Sequence, residues 1–143
     1  IMEEETDFKK EEIFFFLLGQ LVEEYTKQHL PKEQMVQSTE AKVVCEFLES
    51  HYMETISLND LCNMTGLSKY YLLRSFTRQK GISPYSYLET IRIDRAKKLL
   101  EQGAMPVEAA IQTGFSDQSH FSNFFKRYIG LTPKQYSKIF KDT

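Results

Sequence analysis

Cysteine is scarce in this chain. Only Cys45 and Cys62 occur, without a CxxC spacing, and the 3 histidines do not cluster. That excludes a sequence-evident zinc site, and the two isolated thiols are expected to be reduced. Long apolar runs are also missing. The longest, Ile13 to Leu18, has six residues, against the about 20 needed to cross a bilayer. No cleavage pattern of a signal peptide follows it, so the expected setting is soluble and cytoplasmic, with no membrane partner. Valine and isoleucine are sparse and period-2 alternation is absent, which leaves little room for strands. There is no nucleophile–base set, phosphate-binding loop or metal-ligand spacing. Ser, His and Asp fall where turns and caps account for them, so no enzyme activity and no cofactor are expected.

What is present begins with enough apolar matter for a core: 41% of 143 residues, the size of one domain or one domain plus an appendage. The net charge of −2 hides an asymmetry. Residues 1–54 hold 5 Lys/Arg against 13 Asp/Glu, a net of −8, whereas residues 55–143 hold 13 against 7, a net of +6. A basic segment behind an acidic one suits a module facing nucleic acid, attached to something with another task.

Apolar residues recur at three and four, as helices require. One helix is expected over 8–28, stopped near Pro31, with a polar connector at 32–39 and a second helix from Glu40 to Met53 that turns Val43, Val44, Phe47 and Leu48 inward. From there caps and glycines punctuate the chain. Ser57 caps Leu58–Thr65, ended by Gly66; Ser68 caps Lys69–Lys80, ended by Gly81. Ser83-Pro84 opens a long helix, its buried stripe Tyr87, Leu88, Ile91, Ala96, Leu99 and Leu100, stopping at Gly103. Pro106–Thr113 ends at Gly114, Ser116 or Asp117 caps a helix to Tyr128 before Gly130, and Thr132-Pro133 starts a last helix through Phe140.

The segment repeats itself. At a shift of 49 positions Phe76 falls on Phe125, Arg78 on Arg127, Gly81 on Gly130, Pro84 on Pro133 and Tyr87 on Tyr136. Each copy is a short helix, a glycine turn, a longer helix and Gly-x-[Ser/Thr]-Pro. A pair of helices joined by a tight glycine turn is a helix-turn-helix unit, whose second helix can enter a major groove. The expected fold is therefore all-α, with two such subdomains (about 57–81 and 106–130) joined by a long linker helix (about 83–101) and an N-terminal amphipathic or apolar helix. The linker helix, about 27 Å long at about 1.5 Å per residue, compares with about 34 Å between successive major-groove faces of one duplex.

In the first second-helix Leu72 and Phe76 face the core and Tyr71 straddles its edge. Lys69, Tyr70, Leu73, Arg74 and Arg78 are left outward or along the edges. Tyr70, Leu73 and Arg74 share a stripe suited to base edges: Arg74 can donate two hydrogen bonds to a guanine, and Tyr70 and Leu73 can meet thymine methyls. In the other, Phe121, Phe125 and Tyr128 are core, Phe124 fills a neighbouring gap, and the open stripe is Gln118, Ser119, Ser122 and Asn123, where Gln and Asn can pair with adenine. Asp117 suits the helix start as a cap or could accept from cytosine, and His120 is a helix-edge packing group or a phosphate contact. Lys69, Arg78, Lys126, Arg127 and Lys134 are candidate phosphate contacts, which set orientation without reading sequence. Ordinary packing and solvated surface compete with these roles residue by residue. A module that keeps the fold for protein interaction without binding DNA is the alternative.

These residues carry a resemblance. Residues 41–140 resemble the DNA-binding domain of the arabinose-regulator (AraC/XylS-type) family, through Ser57-Leu58, Leu61, Gly66-Leu67-Ser68, Leu72-x-Arg74-x-Phe76, Gly81-Ile82-Ser83-Pro84, Tyr87-Leu88, Arg92-Ile93, Ala96 and Leu99-Leu100. The densest pieces are Gly114-Phe115-Ser116-Asp117-Gln118-Ser119-His120-Phe121, Phe125-Lys126-Arg127 and Gly130-Leu131-Thr132-Pro133-Lys134-Gln135-Tyr136. The resemblance implies a seven-helix bundle, double-stranded DNA as partner, and a transcriptional regulator, usually an activator, that contacts RNA polymerase. It carries base contacts to Tyr70, Leu73 and Arg74 and to Gln118, Ser119 and Asn123. Two positions depart from the pattern: Asn123 stands where a basic residue is common, and Ala109-Ala110 replaces a larger apolar residue plus alanine. The division expected is 1–38, a connector or dimerisation helix left from an upstream sensor domain, and 39–143, the DNA-binding domain. Phe8, Ile13 to Leu18, Leu21, Val22 and Tyr25 make the first helix apolar almost all round, so it must bury against something: a second copy, giving a homodimer through residues 8–28, or the DNA-binding domain itself.

Overall fold

The computed structural model describes residues 2–26 and 38–141, without the side chains of 2–4, 25, 26 and 38. Of the connector expected at 32–39, residues 32–37 lie outside the described residues and 38–39 are already helical; residues 27–28 of the first helix and the Tyr25 side chain also lie outside the described residues. Eight helices and no strand appear among the described residues: α1 (Met2–Thr26), α2 (Ser38–His51), α3 (Leu58–Thr65), α4 (Lys69–Lys80), α5 (Pro84–Glu101), α6 (Pro106–Gln112), α7 (Gln118–Ile129) and α8 (Pro133–Lys141).

The short polar residues that punctuate the sequence make the boundaries. Ser57 accepts from the Asp60 amide while Asp60 accepts from the Ser57 amide, a reciprocal cap on α3. Ser68, Ser83 and Asp117 accept from the amides of Tyr71, Ser86 and Ser119, so Asp117 is the cap of α7. At the other ends Gly81 and Gly130, repeat equivalents, close α4 and α7 with φ of 81° and 96°, a region that costs any residue with a Cβ.

Two apolar cores result. The first joins Phe8 of α1, Val44 and Leu48 of α2, Leu58 and Leu61 of α3, Leu72, Leu73 and Phe76 of α4, and Tyr85 and Leu88 of α5. The second joins Ile93, Ala96 and Leu100 of α5 to Ala109, Ala110, Phe115, Phe121, Phe125 and Tyr136. Helix α5 thus belongs to both. The repeat is also a repeat of contacts: Phe76 meets Tyr87 edge-on with ring centres 5.8 Å apart, and Phe125 meets Tyr136 edge-on at 5.7 Å. Each tyrosine then donates to a carboxylate of an earlier helix, Tyr87 to Glu49 of α2 at 2.8 Å and Tyr136 to Glu101 of α5.

Two inward placements are corrected. Val43 is exposed, because Ala41, Val44, Cys45 and Leu48 already supply the buried side of α2. Tyr128 is also exposed; its ring stacks along the surface on Phe124, centres 6.1 Å apart, one turn back. The largest unanticipated feature is a set of buried charges beneath α1. Arg92, 1% exposed, donates to both Glu5 oxygens at 2.7 and 2.8 Å and to the carbonyls of Tyr52 and Glu54 at 2.8 and 3.0 Å. Glu12 accepts from the Tyr85 amide at 2.7 Å. Helix α1 therefore docks on the rest of the chain with one face, against α4 and α5. Its other face leaves Phe14, Leu17 and Leu21 between 58% and 66% exposed.

Candidate nucleic-acid interface

The first helix-turn-helix pair is α3 and α4, joined by Gly66-Leu67-Ser68; the second is α6 and α7, joined by the turn around Gly114. The φ of 92° at Gly114 is compounded by crowding, since a Cβ there would lie 2.7 Å from the Tyr52 carbonyl oxygen and 3.0 Å from Arg92 Nε. The second turn is thereby held against the buried arginine of α5.

On α7 the expected polar stripe is at the surface. Gln118, Ser119 and Asn123 are exposed, Ser122 is half-buried, and Phe121 and Phe125 lie on the opposite side in the core. Lys126 and Arg127 follow on exposed positions, Arg127 with its guanidinium 5.5 Å from the Phe124 ring centre, and Lys134 is exposed on α8. His120 sits at the edge of the helix: its Nε2 is 3.3 Å from the buried Glu89 carboxylate, and its ring lies against Phe115 and Phe124.

The α4 stripe is brought together but is not open. Tyr70 and Arg74 are half-buried and Leu73 is 1% exposed, which corrects its outward placement. The cause is α1. A cleft of about 370 Å³ between the two helices is lined by Phe15, Phe16 and Gly19 on one side and Tyr70, Leu73 and Arg74 on the other. Arg74 pairs with Glu23 and donates to the Tyr70 hydroxyl at 2.8 Å, while that hydroxyl donates to Glu23 at 3.3 Å. Burial pushes the Tyr70 phenol's pKa up, opposed by Arg74, so it stays a neutral donor. Lys69 pairs with Glu11 at 2.8 Å. Arg78, a turn further on, is exposed, as is Tyr71. No sequence periodicity signals the pairings with Glu11 and Glu23, because those carboxylates lie on another helix; the glycine within α1 is the one local clue.

Among the described residues no group of side chains has the makings of a metal site, and no helix is long and apolar enough to cross a membrane.

Comparison with known proteins matches residues 61–139, over half of the chain, to the family described as a helix-turn-helix domain. An uncharacterised HTH-type transcriptional regulator of Bacillus subtilis, YbfI, is 60% identical over 141 residues, covering 99% of this chain and 51% of the relative. The chain thus spans about half the length of that curated relative. Among solved structures, a probable AraC family transcriptional regulator from Rhodopseudomonas palustris superposes with a TM-score of 0.67 at 28% identity, over 72% of this chain and 98% of that one. The DNA-binding domain of AdpA, a global transcriptional factor solved with a target DNA, gives a TM-score of 0.68 at 24% identity over 72% and 94% of the two chains, a likeness of fold.

Proposed function

From the premise that this chain belongs to the AraC-type helix-turn-helix family of transcription regulators, we propose that it reads two adjacent major-groove segments of one DNA site in the cytoplasm. The observation that carries this reading is the duplicated unit. Two capped second helices, α4 and α7, are built on matching Phe–Tyr cores, and each bears a polar stripe followed by cations. On α7, Gln118 and Asn123 are the adenine-reading groups, with Ser119 and Ser122 as smaller contacts. On α4, Arg74 is the guanine-reading group and Tyr70 the thymine-methyl contact; Leu73 shares their stripe beneath α1. Lys69, Arg78, Lys126, Arg127 and Lys134 hold phosphates. Residues 39–143 constitute the DNA-binding domain and 1–38 the connector to a sensor domain. The activator role, contact with RNA polymerase, and pairing of two copies through residues 8–28 belong to the same reading.

Selection of binding sequences from a random duplex pool tests it. Arg74→Ala should relax the preference at one base pair, a cost of about 1–3 kcal/mol, while Lys126→Ala should weaken all sequences alike and lower the salt dependence by about one unit. Unchanged affinity and preference in Arg74→Ala and Asn123→Ala would favour a protein-interaction module instead.

A further inference from the structure

We propose that α1 is an intramolecular latch on the first helix-turn-helix unit: it occupies the face of α4 that would enter the groove, and it has to leave before that helix can read DNA. This rests on the DNA-reading assignment above and adds a mode of control to it.

The case is one of mutual exclusion. Of the α4 groups assigned to DNA, Lys69 is taken by Glu11, Arg74 by Glu23, Tyr70 by Glu23 and by the backbone of α1 at Gly19, and Leu73 is covered. The carboxylates stand where phosphate oxygens and a guanine edge would stand, and a cation paired there cannot make the same bonds to a duplex. Size leads to the same result. A major groove about 12 Å wide admits one helix of about 10–12 Å diameter, not a pair of packed ones. Charge does so too: α1 carries 8 Asp/Glu and 2 Lys, so in its docked place it opposes the approach of phosphates.

The helix is fitted to this position. Gly19, in the middle of 25 helical residues, is a poor helix former. A Cβ at that position would overlap the Tyr70 ring, so a larger residue there would have to displace that ring from its place at the reading stripe. The two halves of α1 are held differently. Glu5, Phe8 and Glu12 are buried against Arg92 and Tyr85, whereas Glu23 and Arg74 are 40% and 20% exposed in their pair. Solvated pairs are weak, so the C-terminal half is the part that can lift while the N-terminal half stays. Among the described residues the α7 stripe carries no such cover, so the second unit can engage a duplex first and the first unit is the gated one.

The test uses the whole 143-residue chain and duplexes of about 40 base pairs drawn from a pool with a randomised centre, binding being followed by fluorescence anisotropy. Gly19→Leu, which wedges α1 from Tyr70 without lowering helix propensity, should bind about tenfold more tightly than the native chain. The double variant Glu11→Gln/Glu23→Gln should do likewise. Asp7→Asn/Glu24→Gln, equal in charge change but at exposed positions of α1, should shift affinity by less than about twofold. Amide exchange within residues 13–24 of the native chain should speed up on saturation with duplex. Sequence-selective binding that is equal in the native chain and Gly19→Leu, or α1 amides that become more protected by DNA, overturns the latch alone. Absence of selective binding in both proteins overturns the DNA-reading assignment and the latch with it.

Discussion

Arg92 and Glu5 face each other through two hydrogen bonds, 2.7 and 2.8 Å long, across 87 positions of sequence. The pair fastens the acidic start of α1 to the helix shared by both cores. The same guanidinium serves the Tyr52 and Glu54 carbonyls after α2. Arg92→Ala would strand a buried carboxylate and two carbonyls together, and is expected to cost about 3–5 kcal/mol. Glu5→Gln, which keeps an acceptor, should cost clearly less. Urea unfolding of the two variants checks the order.

Gly114 and Gly130 provide a matched comparison of backbone against crowding. Both sit at positive φ, 92° and 96°, but nothing lies within 4 Å of a Cβ at Gly130. Gly130→Ala should therefore cost the conformational penalty alone, about 1–2 kcal/mol. Gly114→Ala should cost more, because the added methyl would press on the Tyr52 carbonyl and its hydrogen bond to Arg92. Equal melting temperatures for the two variants would contradict this.

Burial pushes the Glu12 pKa up to about 7, with Glu89 of α5 adding to the rise and the Ser83 hydroxyl, the Tyr85 amide and Lys9 opposing it. A carboxyl whose folded pKa is raised favours the folded form below its ordinary value of 4.5, and that contribution is lost as pH climbs through about 7. The docked α1 should thus be firmer at pH 5 than at pH 8. Glu12→Gln, neutral throughout, should flatten the profile and exceed the native chain above pH 8 by up to about 3 kcal/mol. Thermal melts of both proteins from pH 5 to 8.5 read this out.

The exposed row Phe14, Leu17 and Leu21 runs along α1 opposite its docked face. If two copies pair there, Leu17→Glu/Leu21→Glu should convert a dimer to a monomer in size-exclusion chromatography with light scattering, without loss of helicity. A native chain that is monomeric at about 100 μM would contradict the pairing (weaker than the micromolar range that specific interfaces reach).

Much of this architecture was legible because it depends on local chemistry. Ser57 and Gly66, like Ser68 and Gly81, mark helix ends through hydrogen bonds and φ values set within a few residues, and α3 and α4 begin and end where those residues place them. The repeat was legible because Phe76, Tyr87 and their equivalents do the same packing twice. Other features needed the third dimension. Leu73 reads as surface from α4 alone and is covered only by a helix some fifty positions earlier. Glu5, Glu12 and Arg92 look like solvated charges, because their partners lie on other helices. The first helix also starts at Met2 rather than at residue 8, since the residues that extend it are acidic and carry no apolar rhythm.

Helix α5 gives its first turns to one core and its last to the other, which makes it a ruler as well as a bridge. If α4 and α7 read DNA as proposed, they cannot swivel independently without twisting that rod. One base pair inserted between the two recognised segments would rotate them by about 35° and separate them by about 3.4 Å. The strut should not follow, so such a site should lose one of its two contacts, while insertion of a full turn would put the second segment beyond reach. Phasing of the half-sites, more than the identity of any single base, would then distinguish this protein's operators from chance occurrences of the same letters.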